Sequence, residues 1–154
     1  MYRESVLAFT EWCSSNFLEL NVKKTKEMCV DFRMSPTVHE PLYINDELVE
    51  CVTEYKYLGT IIDNKFNFNA NVEAVYKKAN SRLYFFRKLS KLKIDHKIME
   101  LFYTSIVQSV ISFAVVCWHG NCNCSVKHKL ERVIKTCSKL GVSNAVSLLR
   151  GVHI

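Results

Sequence analysis

The chain has 154 residues, 49% of them hydrophobic, with four Gly and two Pro, which suits one domain or two small lobes and excludes a disordered tail. Its formal charge of +6 is unevenly held: Lys77, Lys78, Arg82, Arg87, Lys88, Lys91, Lys93 and Lys97 stand against one acid, Asp95, so the rest of the chain is close to neutral. Seven cysteines, an odd number with no secretory signal ahead of them, argue against a disulfide framework and for reduced thiols in the nucleus or cytoplasm.

From Tyr2 to Asn16 the spacing of Val6, Phe9, Cys13 and Phe17 predicts an amphipathic helix with Arg3, Glu4 and Glu11 toward water. The period breaks between Asn16 and Thr25. Met28, Val30 and Phe32 then alternate with Cys29 and Asp31, which predicts a half-buried strand. After the Ser35-Pro36 break, Leu42 and Ile44 face Leu48 and Val49 across Asn45-Asp46, a turn-favouring pair, so a short hairpin is expected. Glu54 to Ile62 is rich in aromatic and β-branched residues and predicts one further strand, closed by Asp63-Asn64.

The second half changes period. Val72, Val75, Tyr76, Ala79, Leu83, Phe86 and Leu89 form an apolar stripe that predicts a helix from about Asn69 to Leu89, with the basic residues elsewhere on the cylinder. Asp95 is placed to cap the next helix, whose expected stripe is Ile98, Leu101, Phe102, Ser105 and Val110, running toward Trp118. Its uncharged run from Leu101 to Trp118 reaches the lower length limit for a membrane span, but five polar residues and basic flanks at both ends favour a buried bundle helix. A third helix is predicted from about Val126 to Leu140, with Leu130, Val133, Ile134 and Cys137 inward and Gly141 at its end. Cys117, His119, Cys122, Cys124 and His128 cluster in sequence but lack the paired knuckles of a structural zinc site, so core and loop cysteines are expected there.

These elements predict an α+β chain, with an N-terminal helix and small antiparallel sheet over 1–65 followed by a helical bundle over 66–154, the boundary falling in the Asp63–Asn67 turn.

Ordered motifs run through this frame. They are Phe9-x-x-Trp12-Cys13-x-x-Asn16, then Asn21-x-x-Lys24-Thr25-Lys26-Glu27, then Tyr55-Lys56-Tyr57-Leu58-Gly59-x-x-Ile62-Asp63, then Val107-Gln108-Ser109-Val110-Ile111 through Trp118. Together they resemble the C-terminal part of a non-LTR (LINE-type) retrotransposon reverse transcriptase, from behind the catalytic aspartates through the thumb. The resemblance implies a palm remnant over 1–65 and a thumb over 66–154. It implies that Lys24, in the loop called motif D, sits near an incoming triphosphate, where its charge would help neutralise the leaving pyrophosphate. Tyr57 and Gly59 match motif E, the hairpin that grips a primer end, with Gly59 allowing close approach of backbone to nucleic acid. Lys77, Lys78, Arg82, Arg87 and Lys88 correspond to the thumb helix that holds template and primer by their phosphates.

Polymerases of this class use magnesium held by palm carboxylates. Asp31 and Asp63 are isolated acids, no such pair is present, and the Tyr-x-Asp-Asp strand would precede Met1. The expectation is a truncated, catalytically inactive fragment with no cofactor, binding RNA/DNA primer-template without sequence preference.

Segments with the Trp12-Cys13-x-x-Asn16 and Lys24-Thr25-Lys26-Glu27 pattern also resemble the N-terminal domain of an AlkB-like alkylated-DNA-repair homologue, whose parent proteins join a 2-oxoglutarate- and iron-dependent dioxygenase to a methyltransferase. None of His39, His96, His119, His128 or His153 opens a His-x-Asp or His-x-Glu, so the iron triad is not written here. Gly59, Gly120, Gly141 and Gly151 are never clustered, so no nucleotide turn is either. A third reading is a helical protein-interaction module that self-associates through exposed apolar surface.

Overall fold

The computed structural model describes residues 2–34 and 39–142. The Ser35-Pro36 break, Gly151 and His153 lie outside these residues. The fold is α+β, and the chain divides into two compact units, Met1–Tyr55 and Lys56–Ile154.

The first unit begins with α1 (Tyr2–Ser15), close to its expected bounds. Cys13 is buried and Val6 packs on a small core of Val22, Leu42, Ile44 and Val49. Phe9 and Phe17, expected inward, are exposed, Phe17 at 99%. So small a core covers only a narrow strip of the helix, and Phe9 instead stacks beside Trp12 with ring centroids 6.1 Å apart.

A 3-10 turn (Val22–Lys24) leads to β1 (Lys26–Glu27). The strand expected over Met28–Phe32 does not form, because alternation alone supplies no hydrogen-bonding neighbour. The hairpin does form: β2 (Tyr43–Ile44) pairs antiparallel with β3 (Glu47–Leu48). Asn45 and Asp46 both take positive φ, 51° and 62°, as a two-residue type I′ turn requires. β4 (Glu50–Cys51) pairs with β1 in parallel, so the small sheet is not wholly antiparallel as expected.

The predicted strand over Glu54–Ile62 is two strands, β5 (Glu54–Tyr57) and β6 (Thr60–Asp63), paired in a two-stranded sheet. Leu58 at φ 46° and Gly59 at φ 94° turn the chain between them.

Asp63 then directs the chain into α2 (Asn69–Lys91). Its Oδ1 accepts from the main-chain N–H of Lys65 (3.0 Å) and Asn67 (3.1 Å), and its Oδ2 from that of Phe68 (2.8 Å). A carboxylate here satisfies donors that precede the helix and lies at the favourable end of its dipole.

The core of the second unit follows the predicted α2 stripe: Val72, Val75, Ala79, Leu83 and Phe86 are buried, and Tyr76 and Leu89 partly so. α3 (His96–Phe102) starts at Asp95, whose Oδ1 accepts from Lys97 N–H at 2.8 Å, as expected. Of its expected stripe, Phe102 and Val110 pack partly buried against the core while Ile98, Leu101 and Ser105 are exposed, and the fully buried line is Met99, Tyr103, Val107 and Ile111. These recur every fourth residue, a spacing that drifts around an α-helix of about 3.6 residues per turn. Residues Tyr103–Gln108 are π-helical, and the wider turn keeps the stripe on one face.

α4 (Ser109–Ser112) ends at Phe113, which is extended, and Ala114, at φ 51°; α5 (Val115–Trp118) follows. This break returns Trp118 to full burial, and its Nε1–H donates to the Phe113 carbonyl at 3.0 Å. His96–Trp118 is long and apolar enough to cross a membrane by length and composition, with 28% of its apolar window buried.

α6 (Cys124–Lys139) closes the bundle against α2 with Leu130, Val133, Ile134 and Cys137 buried as predicted, and Gly141 follows at φ 103°. Each large side chain taken out of water here contributes about 1.5–3 kcal/mol, so Trp118, Tyr103, Phe86 and Ile111 anchor the unit.

Candidate nucleic-acid interface

α2 carries the densest positive charge in the chain. Successive helical residues turn by about 100°, so Lys77, Ser81, Tyr84, Lys88 and Lys91, spaced four, three, four and three apart, follow one line along the cylinder. That line lies opposite the buried stripe through Val72, Ala79, Leu83 and Phe86, and all five residues are exposed. The only acid on α2, Glu73, is held by Lys129 of α6 at 2.7 Å. Among the described residues, Lys77, Lys88 and Lys91 form no ion pair.

Two aromatic rings stand in this charged surface. Tyr84 and Phe85 are 53% and 56% exposed, with centroids 5.5 Å apart and planes at 79°. The Lys88 ammonium lies 5.0 Å from the Tyr84 ring centroid, a cation–π distance.

The five helix cations expected to hold phosphates do not share one face. Lys77 and Lys88 lie on the outer line. Lys78 and Arg82 follow a flank beside Phe85, and Arg87 lies toward the opposite flank. Arg82 is half-buried, and its Nη1–H donates to the main-chain carbonyl of Ile106 in the π-helical segment, so part of its guanidinium serves the fold. Lys91, outside the expected set, completes the outer line. Its spacing from Lys77, Tyr84 and Lys88 was the available signal.

Tyr57 lies at the end of β5 and is exposed. Gly59 has a local reason to be glycine: its φ is 94°, and a Cβ there would stand 3.4 Å from the Phe113 ring. Lys24 belongs to the first unit, exposed in the 3-10 turn, where its N–H donates to Asn21 Oδ1 at 3.0 Å.

The acids have structural occupations. Asp31 accepts from Arg33 Nε–H, at 2.9 and 3.2 Å, and from its Nη2–H, at 2.8 Å, and Asp63 shapes the approach to α2. No group of three or more His, Cys, Asp or Glu is placed to hold a metal ion among the described residues. Within the local cysteine cluster, Cys122 is buried, its thiol pushed up by desolvation, while Cys117 and Cys124 are exposed. A cleft of the first unit is lined by Tyr2, Arg3, Glu27 and Glu40 among others; Arg3 is paired there with Glu40 at 3.2 Å, and burial and Glu27 push the Tyr2 hydroxyl up.

Two asparagines missed in the sequence position α2. Buried Asn71 accepts the Ile61 N–H of β6 at 3.0 Å, and Asn69 accepts the Asn123 N–H ahead of α6 at 3.1 Å. The Asn69-x-Asn71 pair at the start of a helix was their only mark in sequence.

No curated protein and no solved structure matches the chain. A family model does match part of it, over residues 68–109, a little more than a quarter of the length. The match does not include the Trp12–Glu27 motifs on which the AlkB-like resemblance rested. It begins at Phe68, one residue ahead of α2, and ends at Ser109, the first residue of α4. Over this helical hairpin, which bears the basic surface, the chain is similar to the N-terminal region of alkylated DNA repair protein alkB homolog 8.

Proposed function

We propose that the helical unit is a nucleic-acid-binding module of the alkB homolog 8 N-terminal kind, in which α2 lays Lys77, Lys88 and Lys91 along a phosphate backbone without reading sequence. The observation that carries this reading is the outer line of α2, exposed and positively charged, with its one acidic neighbour, Glu73, a turn before Lys77 and held by Lys129. Lysines so placed neutralise phosphates and release counterions, which drives sequence-independent binding. The module contributes binding and no catalysis. The similarity over 68–109, to a region of a protein named for alkylated-DNA repair, supports a setting in which nucleic acid is the ligand.

A second reading, the thumb of a LINE-type reverse transcriptase, draws on the same helix. It is favoured by the exposed strand β5 and the turn after it, which carry Tyr57, Leu58 and Gly59 in the order of the primer grip. It expects preference for an RNA/DNA hybrid.

Fluorescence-anisotropy titration with duplex DNA, an RNA/DNA hybrid and single strands across a salt series tests both. The expected result is salt-sensitive binding. In a Lys77→Ala, Lys88→Ala, Lys91→Ala variant the duplex salt slope should fall by roughly two to three units, at about 0.9 per phosphate. Unchanged binding by that variant removes α2 as the interface, and a strong hybrid preference favours the second reading.

A further inference from the structure

We infer that the ligand of this surface is a strand with unpaired bases, which stack on Tyr84 and Phe85 while the neighbouring lysines hold its phosphates. The inference rests on the binding reading above and adds the substrate class to it. Exposed aromatic rings occur elsewhere in the chain, Trp12 and Phe17 among them, so it is their place among the lysines of α2 that sets Tyr84 and Phe85 apart. Here two adjacent rings stand about half exposed in the middle of the charged surface, although the hydrophobic core of the unit lies on the opposite side of the same helix.

The geometry suits unpaired bases better than duplex. With centroids 5.5 Å apart and planes at 79°, the two rings meet edge to face, so one base cannot stack on both. Lys88 lies over one face of the Tyr84 ring at 5.0 Å, so a base takes that face only as the ammonium swings aside, within reach of the strand's phosphate. Lys77 precedes Tyr84 by two helical turns on the same line, so a strand following α2 meets charge, ring and charge in succession. Aromatic side chains in a basic track are the common means of holding single strands, because every base has a π-face. In a duplex those faces are already stacked.

The test compares a labelled oligothymidylate, an abasic strand of the same length and a duplex. The proteins are the wild type, a Tyr84→Ala, Phe85→Ala variant, and Tyr84→Phe. The wild type is expected to bind the base-bearing strand roughly tenfold tighter than the abasic one. The double variant should bind both alike with an unchanged salt slope, whereas Tyr84→Phe, which keeps the ring, should behave as wild type. Both side chains are exposed, so thermal melts should be unaltered and separate lost stacking from lost fold. Salt-dependent binding with no preference for bases overturns the stacking inference and leaves the phosphate reading standing. Equal affinity for duplex and single strand overturns the substrate class. Absence of salt-dependent binding to any strand overturns the underlying reading itself.

Discussion

The guanidinium of Arg82, on α2, donates from Nη1 to the main-chain carbonyl of Ile106, inside the π-helical segment. A π turn passes each carbonyl to the N–H five residues on instead of four, so the ladder changes register where it begins and ends. A charged donor from the neighbouring helix holds that irregular stretch against α2. The same segment keeps Tyr103 and Val107 buried, which links one arginine to the register of the whole helix.

Arg82→Ala is therefore expected to lower stability by about 1–2 kcal/mol, since a hydrogen bond to a charged group contributes about 1.5–3 kcal/mol and half exposure reduces it. Amide exchange should accelerate over 103–108 and stay unchanged in α6. Lys77→Ala, on the outer line, should leave both readouts alone. If the two variants melt and exchange alike, the Arg82–Ile106 contact has no stabilising role.

Asp63 gives a second prediction. Its carboxylate accepts three main-chain N–H groups between Lys65 and Phe68, so Asp63→Ala hands the two exposed ones to water and leaves the part-buried Phe68 N–H without its acceptor. A loss of about 1–3 kcal/mol is expected in urea denaturation. Asp63→Asn keeps one acceptor oxygen and should lose less. Were the asparagine variant as damaged as the alanine one, the negative charge at the N-terminal end of the helix dipole, rather than hydrogen bonding, would be what Asp63 supplies.

Alkaline pH supplies a third. Burial pushes the Cys137 thiol up to about 11 from an ordinary 9.0, with Arg87 pulling the other way, and the Tyr103 hydroxyl up to about 12 from 10.0, with Cys137 adding to the rise. Both groups are neutral when protonated, and the unfolded chain ionises first. Stability from these two sites is thus complete below about pH 9 and falls as pH rises through 9–11 for the thiol and 10–12 for the phenol. Tyr103→Phe, which keeps the ring and removes the titrating hydroxyl, should flatten the upper part of that loss in melts taken along a pH series. An unchanged alkaline limb would assign the loss to other groups.

The helical half was largely legible in the sequence. The α2 stripe, the Asp95 cap, the inward face of α6 and the turn at Asn45-Asp46 are local patterns whose periods or backbone demands act within a few residues. The basic surface of α2 was legible in charge but not in direction. A count of cations between Lys77 and Lys97 says how much charge α2 carries. Only helical phase separates Lys77, Lys88 and Lys91 from Lys78 and from Arg82, which turns to Ile106.

Tertiary structure decided the rest, because pairing and packing need partners that a linear pattern does not name. Met28–Phe32 alternates as a strand should, yet it has no ladder to join, while the two-residue β1 finds β4 in parallel. Phe9 and Phe17 have the spacing of an inward face, yet the core beneath α1 covers only Val6 and Cys13. The fully buried line of α3 runs through Met99 and Tyr103 rather than Ile98 and Leu101, and the π segment after it, which Arg82 contacts, keeps Val107 and Ile111 on that line. By itself the sequence determined the α+β order of elements, the helix periods and the concentration of positive charge. Which faces are buried, and which cations are left to meet a ligand, depended on what each helix packs against.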